Sequence, residues 1–158
     1  MVSLLFALVA CGGSTFDVSG TVNGQKFTAG AAYFGGPALV FSGSETSCQD
    51  MFWIDDNYAP NNHPNQDGAE QTAFQVTFNN GKIVEGKLTI TEGESPIKAN
   101  HLVLESENFT LTNPIEGSLN IVEIIDEDTV SGDFDFTFED GSIKGSFEQI
   151  PWCMNILP

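Results

Sequence analysis

Residues 130–147 read VSGDFDFTFEDGSIKGSF, and the alternation in this stretch decides the fold. Phe134, Phe136 and Phe138 recur at every second position, with Asp133, Asp135 and Glu139 on the opposite parity. Successive side chains of a strand point to opposite faces, so the segment has one apolar face and one wet face. Asp140-Gly141 is a turn signal, and an alternating strand resumes after it. A two-residue loop there predicts Phe138 opposite Ile143, Phe136 opposite Gly145 and Phe134 opposite Phe147.

The same grammar extends outward along the chain. Phe16–Val22 and Gln25–Phe27 flank Asn23-Gly24, the strongest short hairpin signal, which predicts Gly20 opposite Phe27. Thr72–Phe78 and Lys82–Ile90 flank Asn79-Asn80-Gly81. The apolar faces of these two runs match only across an odd loop, which predicts three residues with Gly81 left-handed and Phe74 facing Gly86. Each predicted hairpin sets a Phe ring across from a strand glycine, a known packing device that lets a sheet curl. Further strands are expected at Ala38–Ser42, Met51–Asp55, His101–Leu104, Asn108–Leu111 and Leu119–Ile125. No helix of about ten or more residues is expected. The fold class is all-β: an antiparallel β-sandwich or curled β-barrel of about eight to ten strands built from consecutive hairpins.

Composition narrows the partners. The chain carries 22 acidic residues against five Lys, with no Arg, for a net charge of -17. Nucleic acid is excluded as a partner, because phosphate contacts need Lys and Arg. Anionic lipid headgroups are disfavoured for the same reason. Cationic surfaces and cations remain.

The chain opens MVSLLFALVACGGS. Residues 4–10 form an apolar run too short to span a bilayer and of the size of a signal-peptide core. Leu8-Val9-Ala10-Cys11 resembles the lipobox of bacterial lipoproteins. That resemblance implies a signal peptide at 1–10, a lipidated Cys11 with a short tether at 11–15, and a single all-β domain over 16–158. It also implies a membrane partner through the acyl chains. Gly12, rather than Asp, after the cysteine weakly favours the outer membrane or cell surface over the inner membrane of the cell envelope. The match departs from the family pattern in one respect, since no basic residue precedes the apolar run; a start upstream of Met1, or a misassigned one, accounts for that. The run Val-x-Gly-x-Val-Asn-Gly-x-x-Phe at 18–27 and the Gly/Phe pattern of 132–147 ending near a Cys are similar to small uncharacterised exported β-rich lipoproteins, a likeness that brings no activity with it.

Cys48 and Cys153 remain as an even pair, which in an exported domain reads as a disulfide. Two buried free thiols are the alternative; a metal site from two cysteines alone is short of the ligands zinc takes.

Catalytic motifs are absent from the sequence. The only histidines are His63 and His101, and no nucleophile elbow, zinc-binding helix or phosphate loop occurs. The longest irregular stretch, residues 55–70, concentrates the oxygen ligands Asp55, Asp56, Asn57, Asp67 and Glu70, a set that suits calcium although its spacing is not that of an EF-hand. Trp53 and Tyr58 flank it and are candidates for stacking on a glycan or protein partner. Glu123, Asp126, Glu127 and Asp128 read as the solvated end of a hairpin. The expected function is therefore a non-enzymatic, membrane-anchored binding or envelope-structural module. A small-ligand carrier with a lipocalin-like barrel is the alternative, and a carboxylate-dependent hydrolase the weakest reading.

Overall fold

The computed structural model describes residues 13–48, 71–90, 95–105, 108–126 and 128–153, and in them period-two alternation becomes strand after strand. They are β1 (Thr15–Val22), β2 (Gln25–Thr28), β3 (Ala31–Gly35), β4 (Ala38–Ser42), β5 (Gln71–Phe78), β6 (Gly86–Ile90), β7 (Ile97–Glu105), β8 (Asn108–Thr112), β9 (Glu116–Ile125), β10 (Thr129–Phe138) and β11 (Gly141–Pro151). That is eleven strands, one above the expected range, and no helix occurs among the described residues. The addition is β3, whose sequence AAYFG shows too little alternation to announce a strand. The expected strand at Met51–Asp55 lies outside the described residues.

The strands form two antiparallel sheets, one of six in the order β2-β1-β11-β10-β9-β6 and one of five in the order β3-β4-β5-β7-β8. The sheets pack face to face and do not close on each other, so the fold is a β-sandwich and the barrel alternative falls.

The first hairpin forms as its turn residues require. Asn23 and Gly24 both have positive φ (51° and 77°), the geometry of a two-residue turn that follows the strand twist, and Gly20 lies opposite Phe27. The last hairpin, β10–β11, forms with its register two residues from expectation. Phe138 faces Gly141, Phe136 faces Ile143, Phe134 faces Gly145 and Gly132 faces Phe147. Glu139 and Asp140 make the turn, and Gly141 opens the strand instead of closing the loop. Gly141 can do so because its φ of 126° suits a residue without a Cβ, and a Cβ there would strike the Thr21 carbonyl of β1. A slip of two leaves every side chain on its expected face.

The second predicted hairpin does not form. β5 pairs with β4 and β7 in the five-stranded sheet, whereas β6 pairs with β9 in the other, setting Gly86 against Ile121 and not Phe74. Gly81 is left-handed as expected (φ 77°), but the turn launches residues 82–85 across to the opposite sheet. The physical reason lies in burial. Ala73, Phe74, Gln75 and Val76 are buried in succession, so β5 is covered on both faces and takes a strand of its own sheet on either edge.

Between the sheets the inward residues form one continuous core. Phe41 and Phe74 of the five-stranded sheet meet Phe134, Phe136 and Phe147 of the six-stranded one, with ring centroids 5.1–5.6 Å apart in the closest pairs. Such offset and tilted rings contribute about 0.5–1.5 kcal/mol per pair beyond the area they bury. The outer face of the five-stranded sheet is buried too: Ala38, Val40, Ala73 and Leu102 there are all at most 1 % exposed.

Candidate functional site

Cys48 and Cys153 come together as a disulfide, with Cα atoms 5.6 Å apart across a sequence separation of 105. Cys153 is buried against Ala31, Ala38 and Val40, so the bridge seals the outer face of β3 and β4. Several residues singled out in the sequence lie outside the described residues: Cys11, the acidic set Asp55, Asp56, Asn57, Asp67 and Glu70, and the aromatics Trp53 and Tyr58. Among the described residues, no three His, Cys, Asp or Glu side chains gather as a metal site.

His101, expected at a strand start, sits in the middle of β7 with its ring in the core. Phe27 and Phe138 meet it edge-on at 5.6 and 6.4 Å. Among the described residues its Nε2 has no hydrogen-bond partner. Burial lowers its pKa below the usual 6.5 and keeps it neutral. A ring enclosed in this way has no path to a substrate, so His101 belongs to the packing.

What the sequence did not announce is a cleft of about 550 Å³ at one end of the sandwich. Four segments meet there: the β3–β4 turn at Gly36, the crossing segment at Gly81–Ile83, the β9–β10 turn, and Trp152 just after β11. Hydrogen bonds donated by backbone N–H groups hold three of these segments. The Trp152 N–H donates to the Asp128 carbonyl at 2.9 Å, and the Cys153 N–H donates to the Phe34 carbonyl at 2.7 Å. The Ile124 N–H donates to Glu85 Oε1 at 3.1 Å, tying the crossing segment to β9. Trp152 stands edge-to-face with Phe34, centroids 5.2 Å apart, and keeps 37 % of its surface exposed.

The cleft's chemistry is mixed. Ile83, Ile124 and the two rings supply apolar wall; Asp126 and Asp128 supply carboxylates; Lys82, on the crossing segment, supplies a cation. Asp126 and Asp128 occupy the hairpin end that the charge run suggested, with Asp126 itself left-handed (φ 48°). Their meeting with Trp152 and Lys82 leaves no trace in sequence spacing, because it depends on where β5, β9 and β11 end.

No family model matches the chain, and no curated protein or solved structure matches it.

Proposed function

We propose that this protein is an exported, lipid-anchored binding module, non-enzymatic, held at a membrane through Cys11 and binding its ligand at the end cleft. The lipobox-like Leu8-Val9-Ala10-Cys11 supports the anchor. One observation carries the binding reading: Phe rings fill the space between the sheets, while a walled cleft with an exposed Trp opens at one end. A carrier needs an interior volume for its cargo, and the stacked core takes that volume up. A hydrolase reading asks for carboxylates with a His in the cleft; among the described residues Asp126 and Asp128 line it but no His does, His101 is buried elsewhere, and His63 lies outside the described residues.

The anchor is tested by detergent-phase partition and intact mass. Wild type should enter the detergent phase carrying acyl mass on Cys11, and Cys11→Ser should shift to the aqueous exported fraction. A wild-type protein that stays aqueous with no acyl mass overturns the anchor.

A further inference from the structure

The cleft and the point where the chain leaves the sandwich are at the same end. β1 begins at Thr15, paired with Glu148, and β11 runs only three residues further before Trp152. The β9–β10 turn with Asp126 and Asp128 caps the same end, since Thr129 pairs with Pro151. Three residues, Gly12 to Ser14, separate Thr15 from Cys11, and the four Cα-to-Cα steps at ~3.5 Å each reach at most about 14 Å. An acylated Cys11 therefore holds this end, and not the Asn23-Gly24 and Glu139-Asp140 end, against the bilayer.

The surface at this end suits that position. Trp152, 37 % exposed, lines the cleft, and the exposed Val84 (37 %) and Ile125 (38 %) directly follow the lining residues Ile83 and Ile124 in the chain. A Trp with one wet edge is the side chain that favours the headgroup level of a membrane. Among the described residues the charges lining the cleft are of both signs, two carboxylates and one ammonium. A ligand with an ammonium and a phosphate in one small headgroup complements that arrangement. A primary ammonium has three donors to share between Asp126 and Asp128, and the Trp152 ring adds attraction for a cation nearby. The phosphate would meet Lys82, which has no carboxylate within ion-pair distance among the described residues. An anionic headgroup without the ammonium meets Asp126 and Asp128 unpaired, within a domain of net charge -17.

We propose that this end of the sandwich faces the bilayer and that its cleft takes the phosphoethanolamine headgroup of a zwitterionic lipid. The proposal rests on the anchored-module reading for its orientation, but its test does not need the acyl chains. Full-length Cys11→Ser protein is floated with vesicles of phosphatidylcholine, with phosphatidylcholine containing phosphatidylethanolamine, and with phosphatidylcholine containing phosphatidylglycerol. The expected result is preferential binding to the phosphatidylethanolamine vesicles. Asp126→Asn/Asp128→Asn should weaken that binding by about tenfold, the scale of losing charge-assisted hydrogen bonds. Lys82→Gln should weaken it too, whereas Asp135→Asn, on the outer face of the six-stranded sheet, should leave it unchanged. The double Asn variant discriminates sharply, because removing two negative charges would otherwise ease approach to any membrane.

Equal binding to all three vesicles, or a double Asn variant that binds as its parent does, overturns the proposal. Free phosphoethanolamine that raises the melting temperature of the Cys11→Ser protein without any vesicle preference overturns the bilayer as the source. If wild type carries no acyl mass while the Cys11→Ser protein still prefers phosphatidylethanolamine, the anchor reading fails and the headgroup reading stands. If wild type is acylated but the Cys11→Ser protein shows no vesicle preference, the anchor stands and the headgroup reading fails.

Discussion

His101 is a polar side chain placed where the fold wants a ring. Its neutral form is tolerated between Phe27 and Phe138, but its charged form is not. Burial lowers its pKa from 6.5, so at mildly acidic pH the unfolded chain takes up a proton that the folded one refuses. Stability from this group is complete above that unfolded value and is lost as pH falls below it. His101→Phe should therefore flatten the stability curve between neutral and mildly acidic pH, and should match or exceed wild type at neutrality because no buried nitrogen is left unpaired. Urea melts of both proteins across that range check it; parallel curves would remove His101 as the titrating group. Gly141 and Gly81 offer a second residue-scale contrast. Both have φ in the left-handed half (126° and 77°), but a Cβ on Gly141 meets the Thr21 backbone while one on Gly81 meets nothing. Gly81→Ala should cost about 1 kcal/mol, and Gly141→Ala about 3 kcal/mol or more, since strain and collision add. Equal losses in denaturant titration would show that β1 and β11 can part at Gly141 without penalty.

At the scale of elements, the disulfide ties the residues after β4 to those after β11, and therefore one sheet to the other. Closing a loop of 105 residues of separation restricts the unfolded chain. In the chain-entropy account this contributes about 4–5 kcal/mol, which corresponds to a fall of roughly 10 °C in melting temperature on reduction. The bridge also positions the cleft, because Trp152 is bonded to Asp128 on one side and is followed at once by Cys153. Cys48→Ser/Cys153→Ser should melt lower, with the core intact by near-ultraviolet circular dichroism. Two thiols that alkylate freely in the native, unreduced protein would contradict the bridge. The crossing from β5 to β6 shows why local pattern reads strands better than partners. Thr72–Phe78 and Val84–Ile90 alternate as a hairpin would, but the choice between folding back and crossing over depends on what already flanks β5.

For the whole molecule the dominant long-range term is charge. With 22 acids and five Lys, compaction brings like charges together, and added salt should screen them. Melting temperature should rise between low and physiological ionic strength. A calcium-specific increment, measured against sodium at matched ionic strength and abolished by replacing Asp55, Asp56 and Asp67 with Asn, is the expected signature of the acidic stretch at 55–70. Identical melts in calcium and in sodium would make that stretch a solvated connection. Salt screening and calcium binding separate in this design because the first does not depend on the three carboxylates.

The alternation of Phe134, Phe136 and Phe138, and the Asn23-Gly24 turn, were legible because side-chain direction in a strand and the φ of a tight turn are properties of a few consecutive residues. The sequence by itself therefore determined that this chain is β throughout its described length, which faces of β1, β10 and β11 are apolar, and that Cys48 and Cys153 form the natural pair. Register at Gly141, the partner of β6, the extra strand β3 and the choice of sandwich over barrel were decided by the tertiary structure. Each depends on contacts between residues far apart in the chain, where a glycine is needed only because another strand passes close by. The cleft belongs to that second class entirely: Lys82, Asp126, Asp128 and Trp152 share no spacing or motif, and they meet because three strands of two different sheets end at the same place.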